Sequence, residues 1–305
     1  MIKKRRQSTG RKGNAGMNLG SIGTALDLML AGHSSVIGPD FLITRRDPYN
    51  ADIGHLDPSD LRRFDQDFVD LLLKIKPKQQ ASIPEDLDGL CEKYLKQREL
   101  LSAYHEKPME TLLLNHEIEA AKELGNFDPY IKKVVIRNNA EMNVFYDYIA
   151  LYKEIEGKRI IEHWRSENPK AMNTRNKAVV TALEKATFAV LRLDKNLGHG
   201  AIKATNVITQ TECILMDRAL HSSRKEGCFF ICSILDMGSY VMTSGGGTPI
   251  SPKLDAGKSV LTLLKPHLDK LQAEQQAVTP DITECVRKVI GFCLRSGALE
   301  YMTIH

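Results

Sequence analysis

Apolar residues recur at spacings of three and four along much of the chain, the period of an amphipathic helix. Leu61, Phe64, Phe68, Leu71 and Ile75 follow Asp57-Pro58, a cap with proline at the first helical position, and Pro77 ends the run. Ser82-Ile83-Pro84-Glu85 is a capping box ahead of Leu87, Leu90, Cys91, Tyr94 and Leu101. Met142, Phe145, Ile149, Tyr152 and Ile155 predict a longer helix from about Asn139 to Arg165, with Gly157 as a bend. Val179, Leu183, Ala186, Val190 and Leu193 mark another, stopped at Asn196–Gly200. Ala204–Leu220 is apolar on nearly every side, which predicts a helix at the centre of the fold.

The remaining stretches are less regular. Residues 21–31 fit a short helix capped by Ser21, and Phe41–Ile43 fits a short strand. Tyr130–Arg137 is open between a short strand and a helix end. Gly227–Met242 is open between helix and buried strand, with helix favoured. Ser244–Pro249, with three glycines, predicts a flexible loop. Ser251-Pro252 opens a helix through Leu254, Leu261, Leu264, Leu268 and Leu271, kinked by Pro266. Thr279-Pro280-Asp281 caps a last helix with Ile282, Val286, Val289 and Cys293 aligned, closed by Gly297. The sum is an all-α expectation: about eight helices in two helical lobes, residues 21–168 and 173–305, joined through a Pro169-containing break.

Charge changes this picture at one end. Lys3, Lys4, Arg5, Arg6, Arg11 and Lys12 give residues 1–20 a charge of +6 with no acid. The whole chain carries +4, so the rest sums to −2. A basic, glycine-punctuated, aperiodic stretch cannot bury enough surface to offset its ordering entropy, so it is expected to be a disordered arm. Its charge bears on partners, not on fold. Polar residues follow the basic start where the apolar core of a secretory signal would lie, and no apolar run reaches membrane-spanning length. Six cysteines without a Cys-x-x-Cys pair fit reduced, packed thiols and an intracellular setting, cytoplasmic or nuclear (or a virion, for a viral chain).

The chemistry-bearing patterns are sparse. Gly257-Lys258-Ser259 lacks the glycine a phosphate loop needs five residues earlier, where Pro252 stands, and His116-Glu117 lacks the second His at Ala120. Cys228 and Cys232 have no further ligand at metal spacing. The expectation is therefore no enzyme, no cofactor and no metal. The arm can neutralise phosphates without fixed geometry. Between Tyr130 and Arg165, aromatics (Tyr130, Phe145, Tyr146, Tyr148, Tyr152, Trp164) interleave with cations, a composition suited to single-stranded nucleic acid but also to a packed core with a mixed-charge surface. Lys132, Lys133, Arg137, Lys158, Arg159 and Arg165 are the candidates to line a cleft between the lobes.

The leading expectation is a nucleic-acid-binding structural protein, RNA before DNA, acting as a homo-oligomer through the arm and that cleft. Its plan is similar to that of helical nucleoproteins that encapsidate viral RNA, a likeness of architecture with no shared motif. The alternative is a helical interaction adaptor or microbial effector that binds no nucleic acid.

Overall fold

The computed structural model describes residues 41–43, 64–112, 116–173, 176–223, 226–274 and 282–296. The expectations for the arm, for the helix at 21–31, for the helix start at Asp57-Pro58, for the Thr279–Asp281 cap and for Gly297 lie outside these residues.

Strand β1 (Phe41–Ile43) comes first, and helix α1 (Gln66–Lys74) follows. The side chain of Asp65 caps α1 by accepting from the Phe68 amide, and Phe68, Val69 and Leu72 form its buried face. Helix α2 (Leu87–Leu112) carries the buried Leu90, Tyr94 and Leu101, as their spacing requires. Helix α3 (Glu117–Leu124) ends at Gly125, whose φ of 78° is the left-handed cap glycine favours. Strands β2 (Phe127–Asp128) and β3 (Lys133–Ile136) form a hairpin, and β1 pairs with β3 in parallel to make the sheet order β1-β3-β2.

The expected helix from Asn139 to Arg165 is broken in its middle. Helix α4 (Asn139–Leu151) gives way to a hairpin of β4 (Glu154–Ile155) and β5 (Lys158–Arg159), then to α5 (Ile160–Glu167). Glu156 and Gly157 both have positive φ, 51° and 75°, so the two-residue turn reverses the chain where the periodicity implied only a bend. A 3₁₀ turn (Pro169–Met172) and helix α6 (Lys177–Glu184) follow.

The all-α expectation fails in the next 64 residues, which form a closed five-stranded barrel. Its strands are β6 (Thr187–Gly198), β7 (Ala201–Asn206), β8 (Thr211–Met216), β9 (Phe229–Asp236) and β10 (Val241–Ile250), with the short helix α7 (Arg218–Ser222) between β8 and β9. The physical reason is burial on two sides. Leu191, Leu193, Ile202, Ala204, Leu215 and Phe230 point into the barrel, while Phe188, Val190, Ile214, Met216, Ile231 and Met242 belong to the cluster packed outside it. A strand apolar on both faces has the same profile as a buried helix. The expected central helix at Ala204–Leu220 is thus the β7–β8 hairpin plus α7. Its turn is made by Asn206, whose side chain accepts from the Ile208 amide, and by Gln210 at φ 57°. The expected helix at Val179–Leu193 ends at Glu184 and becomes β6, and the stop at Asn196–Gly200 is a hairpin with His199 and Gly200 at φ 52° and 83°. Gly227–Met242 is strand, not helix.

The glycine-rich stretch is not a loop either. Gly245–Gly247 form an irregularity within β10, where pairing with β9 jumps from Thr243–Ile234 to Gly247–Cys232. Helix α4 lies directly on it. A Cβ on Gly246 would stand 2.6 Å from Asp147 Oδ2 and 2.7 Å from the Asn143 carbonyl oxygen, and one on Gly247 would meet the Phe230 ring at 2.7 Å.

Helices α8 (Asp255–Thr262), α9 (Lys265–Glu274) and α10 (Thr283–Ser296) complete the chain. Pro266 sits in the first turn of α9, where its missing amide donor costs little, so the chain restarts there instead of kinking. One buried cluster continues from Phe68 to Leu294 and joins the helices to the outside of the barrel. Helix α10 packs on α3, α4 and α8.

The barrel order is β10-β8-β7-β6-β9, with β9 returning to β10 and β8 parallel to β10. A three-stranded meander, a short helix and a closing hairpin in this order is the Greek-key arrangement of oligonucleotide-binding (OB) barrels, a likeness of topology that assigns no activity by itself. Strand β8 meets β10 through Leu215 and Met216 alone, and its first half borders a different partner. There Lys78 N donates to Gln210 O (2.7 Å), Glu212 N to Gln79 O (2.9 Å) and Ala81 N to the Glu212 carboxylate (3.2 Å).

Candidate functional site

The sequence offered two cationic regions, and the structure separates their members. Arg137 bonds to Glu141 with one nitrogen and to the Leu294 and Arg295 carbonyl oxygens with another (2.7 and 2.8 Å), so it closes the C-terminal end of α10. Arg159 pairs with Glu162 and donates to the Glu184 carbonyl oxygen. Arg165 pairs with the Glu184 carboxylate. These three guanidinium groups are held by protein oxygens. Lys158 is exposed on the β4–β5 hairpin, away from the turn that carries Lys132 and Lys133 in sequence and in pairing. Lys3, Lys4, Arg5, Arg6, Arg11 and Lys12 lie outside the described residues.

The aromatics divide as sharply. Phe145, Tyr148, Tyr152 and Trp164 are buried, and Tyr146 packs against the core. Burial, then the neighbouring Glu117, pushes the Tyr146 hydroxyl well above its usual range, and burial, then Glu123, does the same at Tyr148. Lys153 is buried between Glu119 (3.3 Å) and Glu123 (2.7 Å). Tyr130 alone of the six aromatics is left open, at 87% exposed.

Tyr130 owes that position to a rigid turn. Asp128 ends β2, and its Oδ1 accepts from the amides of Tyr130 (2.8 Å) and Ile131 (3.2 Å). Lys132 then takes φ 54° and returns the chain into β3. The tip therefore presents Pro129, Tyr130, Ile131 and Lys132 to solvent, with Lys133 half-buried behind them. The Lys122 ammonium, exposed on α3, sits 5.1 Å over the Phe127 ring at the base of the same hairpin.

The parallel register of β1 adds the second part. Phe41 lies opposite Val134 and Ile43 opposite Ile136, so the N-terminal end of β1 points toward Lys133 and the tip. The six arm cations are upstream of Phe41 in sequence. The approach of β1 to the β2–β3 hairpin is not visible in the sequence, because parallel pairing of segments this distant leaves no local signal.

A further polar cluster lies between α4 and the barrel. On α4, Asp147 accepts from the Ser244 hydroxyl and from the Gly246 amide (3.2 Å), and the Tyr152 hydroxyl donates to Ser233 (2.8 Å). Beside them is a cavity of about 20 Å³ lined by Asp147, Cys232, Ser233, Thr248, Ile290 and Cys293 among others, into which the buried Thr248 hydroxyl brings no hydrogen-bond partner of its own. That volume suits a single water and no larger ligand. Burial raises the Cys232 thiol far above its usual range and takes Cys293 up to about 12, so neither is a nucleophile at neutral pH. Among the described residues no three His, Cys, Asp or Glu side chains converge as a metal ion requires, and no helix is long and apolar enough to cross a membrane.

No curated protein and no solved structure matches the chain. Residues 88–279, which include the β2–β3 hairpin and the whole barrel, match the model of a family of unknown function (DUF7986). That match spans well over half of the sequence, and the protein belongs to this family.

Proposed function

We propose that the protein binds single-stranded nucleic acid, RNA before DNA, with the β2–β3 tip and the basic arm acting on the same strand. The observation that carries this reading is the β1–β3 register, which sets the N-terminal end of β1 on the side of a turn that holds out Tyr130 and Lys132. The roles follow from chemistry. An exposed tyrosine fixed by a two-amide turn is a stacking surface already paid for in entropy, and base–aromatic stacking is worth about 1–3 kcal/mol per base. Lys132 supplies a phosphate contact at the same tip, and the arm supplies several more without needing a shaped groove. A duplex keeps its bases stacked internally and offers nothing to Tyr130.

The test is fluorescence anisotropy with a short labelled RNA. Tyr130→Ala should weaken binding of the single strand by about 5- to 150-fold, the range that 1–3 kcal/mol implies. Tyr130→Phe should keep most of it. Equal binding by Tyr130→Ala and the unaltered protein, or tighter binding of duplex than of single strand, would overturn the proposal.

A further inference from the structure

A second cationic surface is built on the barrel, from residues that the reading above does not use. The C-terminal end of α1 and the segment after it run Lys74-Ile75-Lys76-Pro77-Lys78-Gln79-Gln80, and all three lysines are exposed. This segment is fastened in two places. Arg192 on β6 donates to the carbonyl oxygens of Leu73 (2.9 Å) and Ile75 (2.8 Å) while pairing with Asp194 (2.6 Å). Two residues beyond Lys76, the segment joins the free edge of β8 through the Lys78, Gln79 and Ala81 bonds described above. The Glu212 carboxylate holds the Ala81 amide with one oxygen and Lys203 with the other (2.9 Å). Lysines 74, 76 and 78 are thereby placed along the barrel, on the edge of β8 opposite β7, and Glu212 ties that edge to Lys203.

Lys203 in turn stands directly opposite Lys195 in the β6–β7 register. Like charges at directly opposed positions destabilise a sheet, and Glu212 neutralises one member of the pair. Lys74, Lys76, Lys78 and Lys195 reach no carboxylate among the described residues. Of the carboxylates nearest these lysines, Asp194 and Glu212 are taken by Arg192 and Lys203, Asp70 accepts from Gln66, and Glu226 accepts from the Asn196 amide. A surface that concentrates uncompensated cations at some cost in stability is complementary to a polyanion.

Topology gives the ligand its class. In barrels of this order the second and third strands, here β7 and β8, form the face that tracks an oligonucleotide. The lysine segment lies on the edge of that third strand. Among the described residues no exposed aromatic accompanies it, so the surface is suited to phosphates and not to bases. We infer that Lys74, Lys76 and Lys78 form a strip that holds the phosphate backbone of the single strand, an inference that rests on the function proposed above.

The experiment compares the full chain with the triple variant Lys74→Gln/Lys76→Gln/Lys78→Gln, whose positions are exposed, using the same labelled single-stranded RNA over a series of salt concentrations. Each phosphate contact contributes about −0.7 to the slope of log K against log salt for a single strand. The triple variant should lose about 2 from the magnitude of that slope and bind more weakly at low salt. Tyr130→Ala should bind more weakly with its slope unchanged. A triple variant with wild-type affinity and slope overturns the strip while leaving the proposed function standing. A wild-type chain that binds no RNA at low salt overturns both.

Discussion

Replacing Gly246 by alanine tests how the barrel is closed. A flexible loop would absorb a methyl group without cost. In the fold, that methyl meets Asp147 Oδ2 at 2.6 Å and the Asn143 carbonyl oxygen at 2.7 Å, both fixed on α4. Overpacking of this kind costs about 1–3 kcal/mol. Displacing Asp147 from the Gly246 amide removes a hydrogen bond to a charged group, about 1.5–3 kcal/mol more. The sum is about 2.5–6 kcal/mol, and at roughly 2–4 °C per kcal/mol for a chain of this size the melting temperature should fall by at least about 5 °C. Urea unfolding read by the single tryptophan, Trp164, which is buried on α5, measures it directly. Gly238→Ala is the control. Its Cβ meets nothing within 4 Å, and its φ of 88° leaves only backbone strain, about 1–2 kcal/mol. If Gly246→Ala is no more damaging than Gly238→Ala, the packing of α4 on β10 is wrong.

Two further outcomes follow from the same geometry. Arg192→Ala should cost about 2–4 kcal/mol, by stripping the last carbonyls of α1 and leaving half-buried Asp194 without its cation; limited trypsin digestion should then cut faster at Lys74 and Lys78, and an unchanged cleavage rate would count against the clasp. Burial raises the thiols of Cys213 and Cys293 to about 12 and Cys285 to about 11, against 9.0 for an exposed thiol, and raises Cys232 well above its ordinary value too. The folded chain thus holds its protons where the unfolded chain releases them, so this stability is complete below pH 9 and drains away as pH rises past it. Urea midpoints should be flat from about pH 7 to 8.5 and fall above 9; a midpoint that rises over that upper range would contradict the burial of these thiols.

The sequence was legible where one face of an element is wet. Helix α2 shows its stripe at Leu90, Tyr94 and Leu101 and α10 at Val286, Val289 and Cys293, all of them buried, whereas in α1 Phe68 is buried as its spacing requires but Leu71 is exposed and Leu72 takes the inner position. The barrel was misread because its strands have no wet face over much of their length, which removes the alternation of period two. A signal was nonetheless present: Thr205, Val207, Ile208, Thr209, Thr211 and Ile214 crowd β-branched residues into ten positions, and such residues favour strands. Arg137 and Arg159 could not be told from ligand-binding arginines, because the carbonyl oxygens that hold them belong to backbone brought near only by folding. Lys132 and Tyr130 stand out in the sequence, but the turn that exposes them rests on Asp128, which no apolar period marks.

Salt-dependent binding of single-stranded RNA by the full chain, set beside a chain lacking residues 1–20, tests the central claim most directly. The account predicts tight binding at low salt that weakens steeply as salt rises, and a loss of up to about 4 from the magnitude of the slope when the six arm cations are removed, at about 0.7 for each. Absence of binding at low salt, or an affinity indifferent to salt, would contradict it.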